Sequence, residues 1–243
     1  MKKRILVIGD SCRDVHAYCS ANRMCPDKPV PVLKIIDQND NPGMAKNVYR
    51  NIKTMVDDCD IVTNPNWYNI TKTRYIHKAT NHMFFRLDSA EEIKRINIDS
   101  MNYDYEHIIV SDYDKGFLTE EDIETISKNH NSVFLDTKKI LGPWAKNVTF
   151  IKINNHEYSR SEASITPDLE EKIIKTSGED GCYYHGVRYP VEQQDVIDVS
   201  GAGDSFMAGL VIEYSRSKDI IQSIKFANEC ASKVVRQRGV SII

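Results

Sequence analysis

The chain has no excess of either charge: 32 Lys and Arg face 35 Asp and Glu among 243 residues, a formal net charge of −3. That balance gives no general attraction to nucleic acid or to anionic membrane surfaces. No apolar run approaches the length of a membrane span. The opening Met1-Lys2-Lys3-Arg4-Ile5-Leu6-Val7-Ile8-Gly9-Asp10 is basic and then apolar, but its apolar part is too short for a signal peptide and ends in an acid. It reads as a first buried strand. The cysteines (Cys12, Cys19, Cys25, Cys59, Cys182 and Cys230) form no Cys-x-x-Cys, and no histidine pair completes a zinc set. Reduced thiols and a cytoplasmic location are the expectation. There is no internal repeat, no low-complexity tract and no clear linker. No Gly-Lys-Ser/Thr follows a glycine-rich loop, which excludes a P-loop, and Gly-Ala-Gly-Asp lacks the third glycine of a dinucleotide fingerprint.

What is there begins with Asp198-Val199-Ser200-Gly201-Ala202-Gly203-Asp204-Ser205, followed by apolar Phe206-Met207-Ala208-Gly209-Leu210. A small-residue turn at a helix start leaves backbone N–H groups unpaired, and the helix dipole adds positive potential there. Such a place binds phosphate or stabilises a developing anion. An acid inside an anion site is electrostatically unfavourable unless it takes a proton. The pair suggests phosphoryl transfer to a hydroxyl with Asp204 as base. The same glycines also serve simply to let a strand enter a helix closely.

Strands are expected over 4–9, 30–36, 70–78, 83–87, 107–111, 132–136, 148–153, 172–176 and 182–185, which are short and rich in β-branched residues. Helices are expected over 44–53, 119–129, 155–161, 202–216 and 219–236, the last with Ile220, Ile224, Ala227, Ala231 and Val234 on one face. Strands alternating with helices imply an α/β layered sandwich with a mostly parallel sheet, whose ligands gather at the carboxyl ends of the strands. The polar clusters fall there: Gly9-Asp10 through Asp14, Ser111-Asp112, Asp136-Thr137-Lys138, and Asn154 through Glu157. The stretches 30–36 and 70–87 alternate as antiparallel strands do and are expected to form a small separate sheet.

Asp198 to Gly209 resembles the C-terminal signature of the ribokinase-like, or PfkB, carbohydrate kinases. Gly43-Met44-Ala45-Lys46-Asn47-Val48 resembles the family's N-terminal signature, with Met44 in place of its second glycine. Asn154-Asn155-His156-Glu157 matches the Asn-x-x-Glu element, and Thr176-Ser177-Gly178-Glu179-Asp180-Gly181 resembles the phosphate turn. These matches stand in family order. Three further stretches resemble a subgroup, the D-glycero-β-D-manno-heptose-7-phosphate kinases: 23–32, with its Pro-Val-Pro-Val; Thr71-Lys72-Thr73-Arg74 with Phe85-Arg86-Leu87-Asp88; and Ser111-Asp112-Tyr113-Asp114-Lys115-Gly116, together with Asp136-Thr137-Lys138.

The resemblance implies a ribokinase-like three-layer sandwich over residues 1–243 as one kinase domain, with lid strands from about 12–38 and 70–88. The chain is shorter than such domains, by about one β-α segment between 52 and 70 and again between 157 and 172. Members of the subgroup often carry a second, nucleotidyl-transferring domain, which these residues do not hold. By resemblance the reaction is ATP-dependent phosphorylation of a sugar or sugar phosphate, heptose 7-phosphate at its anomeric hydroxyl first among them. Asp204 is the implied base, and the amides of Ala202, Gly203 and Asp204, with Gly201, hold the γ-phosphate. Asp14, Gly43 and Asn47 are implied to meet the sugar, and Lys72, Arg74 and Arg86 a phosphate already on it. Asn154 and Glu157 would organise Mg²⁺ and its waters. Thr176, Gly178, Gly181, Lys138 and Asn228 would border the nucleotide, and Asp198 and Ser200 a monovalent cation such as K⁺. A homodimer through the lid sheet is implied. A kinase for another sugar or a nucleoside, and a binding protein that keeps the fold without the activity, are the competing readings.

Overall fold

Ile5, Leu6, Val7 and Ile8 are all buried, and because side chains alternate along a strand they must fill both faces of the sheet that holds them. The computed structural model, which describes residues 3–89, 92–192, 196–237 and 242–243, shows this directly. Ile5 and Val7 pack into a cluster with Ile109, Phe134, Phe206 and Leu210, while Leu6 and Ile8 pack with Ile108, Val110, Leu135 and Ile151. Met1 and Lys2, placed by the sequence just ahead of the first strand, lie outside the described residues.

Eight strands form the main sheet: β1 (Lys3–Gly9), β4 (Cys59–Val62), β7 (Tyr105–Asp112), β8 (Val133–Thr137), β9 (Phe150–Asn154), β10 (Ile173–Thr176), β11 (Cys182–Tyr184) and β12 (Val187–Tyr189). Their order is β12-β11-β10-β9-β8-β7-β1-β4, parallel from β4 to β10 and antiparallel at the β10–β11–β12 edge. One face carries α1 (Ala45–Lys53), α5 (Ala202–Ser217) and α6 (Ile220–Val234). The other carries α2 (Glu120–Asn129) and the short α3 (Asn155–Ser161) and α4 (Pro167–Glu170). Three layers result, and α3 and α4 fill the stretch where the sequence implies a shortening. In the other such stretch β4 keeps its place, and no helix follows it before the next strand.

The second sheet holds β2 (Ser11–Met24), β3 (Pro31–Met44), β5 (Thr71–His77) and β6 (Met83–Asp88) in the order β3-β2-β5-β6. The expectation of an antiparallel sheet is corrected at its centre, where β2 and β5 run parallel. The reason is topological: β1 and β4 are parallel neighbours, so the chain leaves both at the same edge and the strands that follow run in the same direction. β2 and β3 are also far longer than the expected segment over 30–36.

Gly9 closes β1 beside Ser111 of β7. A methyl on it would lie 1.9 Å from the Ser111 carbonyl oxygen and 3.1 Å from Ala45 Cβ. Gly9→Ala is therefore expected to force β1 and β7 apart below the site and to cost about 3 kcal/mol, read as a melting temperature lower by roughly 6–12 °C.

Candidate active site

The first turn of α5 is built by Gly201, whose φ of 83° places it in the left-handed region that glycine adopts freely. The Ala202 amide donates back to the Val199 carbonyl at 3.2 Å, which corrects the expectation that it is available to a phosphate. The amides of Gly203 and Asp204 follow in the first turn, where no helical acceptor exists for them. A methyl on Gly203 would come within 2.8 Å of Lys152 Nζ. That ammonium, from β9, therefore sits directly against the turn.

Asp204 is 4% exposed. Asn47 Nδ2 donates to its Oδ2 at 2.9 Å and the Tyr113 hydroxyl donates to its Oδ1 at 2.6 Å. Burial pushes its carboxyl up to about 6, against the pull of the Tyr113 and Asn47 hydrogen bonds, with nearby Asp136 adding to the rise and Lys152 opposing it. A carboxylate poised there is ionised at neutral pH yet basic enough to accept a proton.

Two cavities meet at this group. The larger, about 1110 Å³, is bordered by Asn154, Thr176, Gly178, Gly181, Lys152 and Asn228. The smaller, about 280 Å³, is bordered by Asp14, Met44, Lys72, Arg74, Arg86 and Ser200. Tyr113, Lys138, Gly201 and Asp204 border both.

On the larger side, Asn154 caps α3. Its side chain accepts from the Glu157 amide at 2.9 Å, and Glu157 Oε2 accepts from the Asn154 amide at 2.8 Å, a reciprocal capping box. Glu157 is buried and receives the Lys138 ammonium. Burial alone would lower the Lys138 pKa, but Asp136 and Glu157 together outweigh it and raise it. Asp136 pairs with Lys152 at 2.8 Å through Oδ2, while its buried Oδ1 has no hydrogen-bond partner. Gly178, with φ 57°, leaves open space where a side chain would stand. At Gly181 a methyl would strike the Tyr189 carbonyl oxygen at 2.2 Å, so that glycine is demanded by the hairpin beside it. Asn228 donates to the Tyr189 carbonyl at 2.9 Å. The Asp198 carboxylate accepts from the Ser200 amide at 2.9 Å, in the segment leading to α5. Among the described residues no group of three or more His, Cys, Asp or Glu side chains could hold a metal. If a magnesium ion binds here, Glu157 and Asn154 are the residues that would meet it, directly or through its waters, with phosphate oxygens as its other ligands.

On the smaller side, β5 and β6 project Lys72, Arg74 and Arg86 from one face, since Lys72 and Arg74 are two apart and Arg74 stands opposite Arg86. Arg74 binds Asp14 Oδ1 at 2.7 Å, and Arg86 binds Asp88 at 2.8 Å. Gly43 is required beneath Asp14: a methyl would lie 2.1 Å from Asp14 Oδ2. Asn47 is fully buried behind Asp204 rather than in the cavity lining, and its amide holds the Asp204 carboxylate. Met44 has φ 61°, the conformation for which glycine is favoured. The path is thus that of a glycine, held by a buried methionine.

Sequence reasoning passed over Lys152, and it included Tyr113 and Asp136 only within longer stretches. The available signal for Lys152 was a lone lysine inside the apolar run Phe150-Ile151-Lys152-Ile153, because a buried lysine needs a partner.

The chain belongs to the pfkB family of carbohydrate kinases, whose model matches residues 63–243. It is 27% identical over 292 aligned positions to the bifunctional protein HldE of a Nitratiruptor species, covering 99% of this chain and 63% of that protein. It is 26% identical over 305 positions to HldE of Helicobacter pylori, covering 99% and 64%. The chain thus spans less than two thirds of the length of these relatives. Both alignments also run longer than the 243 residues of this chain, so the relatives carry segments that it lacks within the matched region. Among solved structures, ribokinase from Thermotoga maritima superposes with a TM-score of 0.70 at 14% identity, covering 98% of this chain and 94% of that one. The nucleoside kinase of Methanocaldococcus jannaschii gives 0.70 at 18%, covering 98% and 93%. These likenesses establish the ribokinase-like fold.

Proposed function

We propose that the chain transfers the γ-phosphoryl group of ATP to a hydroxyl of a phosphorylated sugar, with D-glycero-β-D-manno-heptose 7-phosphate, attacked through its anomeric hydroxyl, as the acceptor. The observation that carries this reading is the position of Asp204. One desolvated carboxylate stands where a large cleft meets a small one, and the small one is lined by Lys72, Arg74 and Arg86. A phosphate dianion suits this lining of Lys72 with Arg74 and Arg86, whose charges Asp14 and Asp88 partly offset, better than a neutral sugar or a nucleoside does. In this reading Asp204 takes the proton from the attacking hydroxyl as the bond to phosphorus forms. The amides of Gly203 and Asp204, with the Lys152 ammonium, receive the charge of the transferring group. Asp14 would fix a sugar hydroxyl through its free Oδ2. Mg²⁺ would neutralise triphosphate charge beside Glu157 and Asn154. The relatives named HldE support the heptose assignment, and their name, bifunctional, supports a second activity outside the residues matched.

The lid supports a homodimer. Its face away from the cations carries Tyr75 stacked on Phe85 at 4.7 Å, with Met83, Phe85 and Leu87 at least half exposed, an apolar strip that a second copy would cover. Sedimentation at micromolar concentration should give twice the mass of one chain.

ADP release with ATP and Mg²⁺ tests the reading against heptose 7-phosphate, ribose, fructose phosphates and nucleosides. Turnover should favour the heptose phosphate. Lys72→Gln and Arg86→Gln should each raise KM for it roughly 10- to 100-fold and leave KM for ATP unchanged. Preferred turnover of a nucleoside or of unphosphorylated ribose would replace this reading, and ATP binding without turnover on any acceptor would leave a binding protein.

A further inference from the structure

Tyr113 lies between the two cavities, borders both and is partly buried. Its loop is clamped from below: Asp10 Oδ1 accepts from the Tyr113 amide at 2.7 Å and Asp10 Oδ2 from the Lys115 amide at 2.8 Å. Asp112 Oδ1 accepts from the Asp114 amide at 3.2 Å, and Lys139 reaches both Asp112 and Asp114. From this fixed base the phenol meets Asp204 Oδ1 at 2.6 Å. The ring lies under two ammonium groups, Lys72 at 4.9 Å from the substrate side and Lys138 at 5.2 Å from the nucleotide side.

We infer that Tyr113 is a positioning residue for phosphoryl transfer: its hydroxyl and the Asn47 amide pin the two oxygens of Asp204 so that a lone pair stays aimed into the smaller cavity. The inference rests on the kinase reading above. A carboxylate accepts about four hydrogen bonds, so two sites remain for the attacking hydroxyl once Tyr113 and Asn47 have taken theirs. Unpinned, the terminal torsion of an aspartate is broad, and the lone pair would wander. Tyr113 is suited to the task because burial and the neighbouring Asp204 and Asp136 charges push its phenol well above the ordinary value. It therefore stays a donor at every working pH, and its bond favours the ionised carboxylate.

Asp204 is faced by Tyr113 from the loop after β7, Asn47 from α1, Asp136 and Lys138 from β8 and the loop after it, Lys152 from β9 and Cys12 from β2. Tyr113→Phe removes one hydroxyl and leaves the others in place. In ligand-free protein carrying ¹³C-labelled aspartate, with Asp204→Asn identifying the resonance, the Asp204 midpoint should rise by about one pH unit in Tyr113→Phe. The acid limb of kcat/KM should move with it, and kcat should fall while KM for ATP is kept. Site-specific 3-fluorotyrosine, a stronger donor, should move the midpoint the other way, and it decides the matter if the phenylalanine variant does not fold. An Asp204 midpoint unmoved in both overturns the inference. A purely structural role would lower the melting temperature and leave the midpoint in place. Absence of turnover on every acceptor, with the midpoint moving as stated, overturns the kinase reading and leaves the Tyr113–Asp204 pairing standing.

Discussion

Asp204→Asn should lose about 10³- to 10⁴-fold in kcat and yet melt at a higher temperature than the natural chain. The loss follows from the role of base, since an amide cannot take the proton of the attacking hydroxyl. The gain follows from burial. The Asp204 carboxyl stands at about 6 in the folded chain against 3.8 in its absence, so the native state binds its proton more tightly than the unfolded state does. That favours folding fully below about pH 4 and is progressively lost as pH rises through about 6. At neutral pH the natural chain thus carries about 3 kcal/mol of uncompensated desolvation, which the amide does not. An Asn carbonyl can still accept from Asn47, and its NH₂ can donate to the Tyr113 oxygen. Thermal denaturation should show a gap that is absent near pH 4, opens between pH 4 and 6 and then stays level at roughly 6–12 °C. In the natural enzyme activity should fall as pH drops through about 6, where the base becomes protonated. An equal melting temperature at pH 7 would mean that Asp204 is less desolvated than its burial indicates.

Such a trade of stability for function is visible in the sequence only in part. The turn around Gly201 and Gly203 could be read as a helix start with outward amides, although the glycines alone also suit a close strand-to-helix entry. The cations of β5 could be read because alternation places Lys72 and Arg74 on one face. The pairing of Asn47 with Asp204 could not, since 157 positions separate the two residues and nothing local in either announces the other. Gly43 shows a different limit. Its sequence context suits contact with a sugar ring, but the atom that forbids a side chain there belongs to Asp14 of the neighbouring strand. The parallel centre of the lid was equally hidden, because it depends on which main-sheet strands lie side by side and not on the pattern within β2 or β5. Met44 was readable as a departure from the family pattern, but only the structure shows a methionine holding the backbone conformation of a glycine.

Lys152 gives the sharpest separation between holding the fold and doing the chemistry. Its ammonium and the Asp136 carboxylate are 2.8 Å apart, with side chains 4% and 2% exposed. Lys152→Met is expected to destabilise by about 3–5 kcal/mol, because it leaves a buried carboxylate whose nearest remaining cation, Lys138, is 4.0 Å away. Asp136→Asn added to it should recover most of that stability, since an amide beside a methionine leaves no unpaired charge. Turnover should not recover. The Lys152 ammonium lies against Gly203 at the turn proposed to receive the transferring phosphoryl group, and no neutral pair supplies that charge. A deficit of roughly 10²- to 10³-fold in kcat should persist in the double variant. Chemical denaturation and steady-state kinetics on the two variants separate the roles. A double variant that regained both stability and turnover would reduce Lys152 to a counter-ion for Asp136, and the charge on the transferring group would then rest on the helix amides alone.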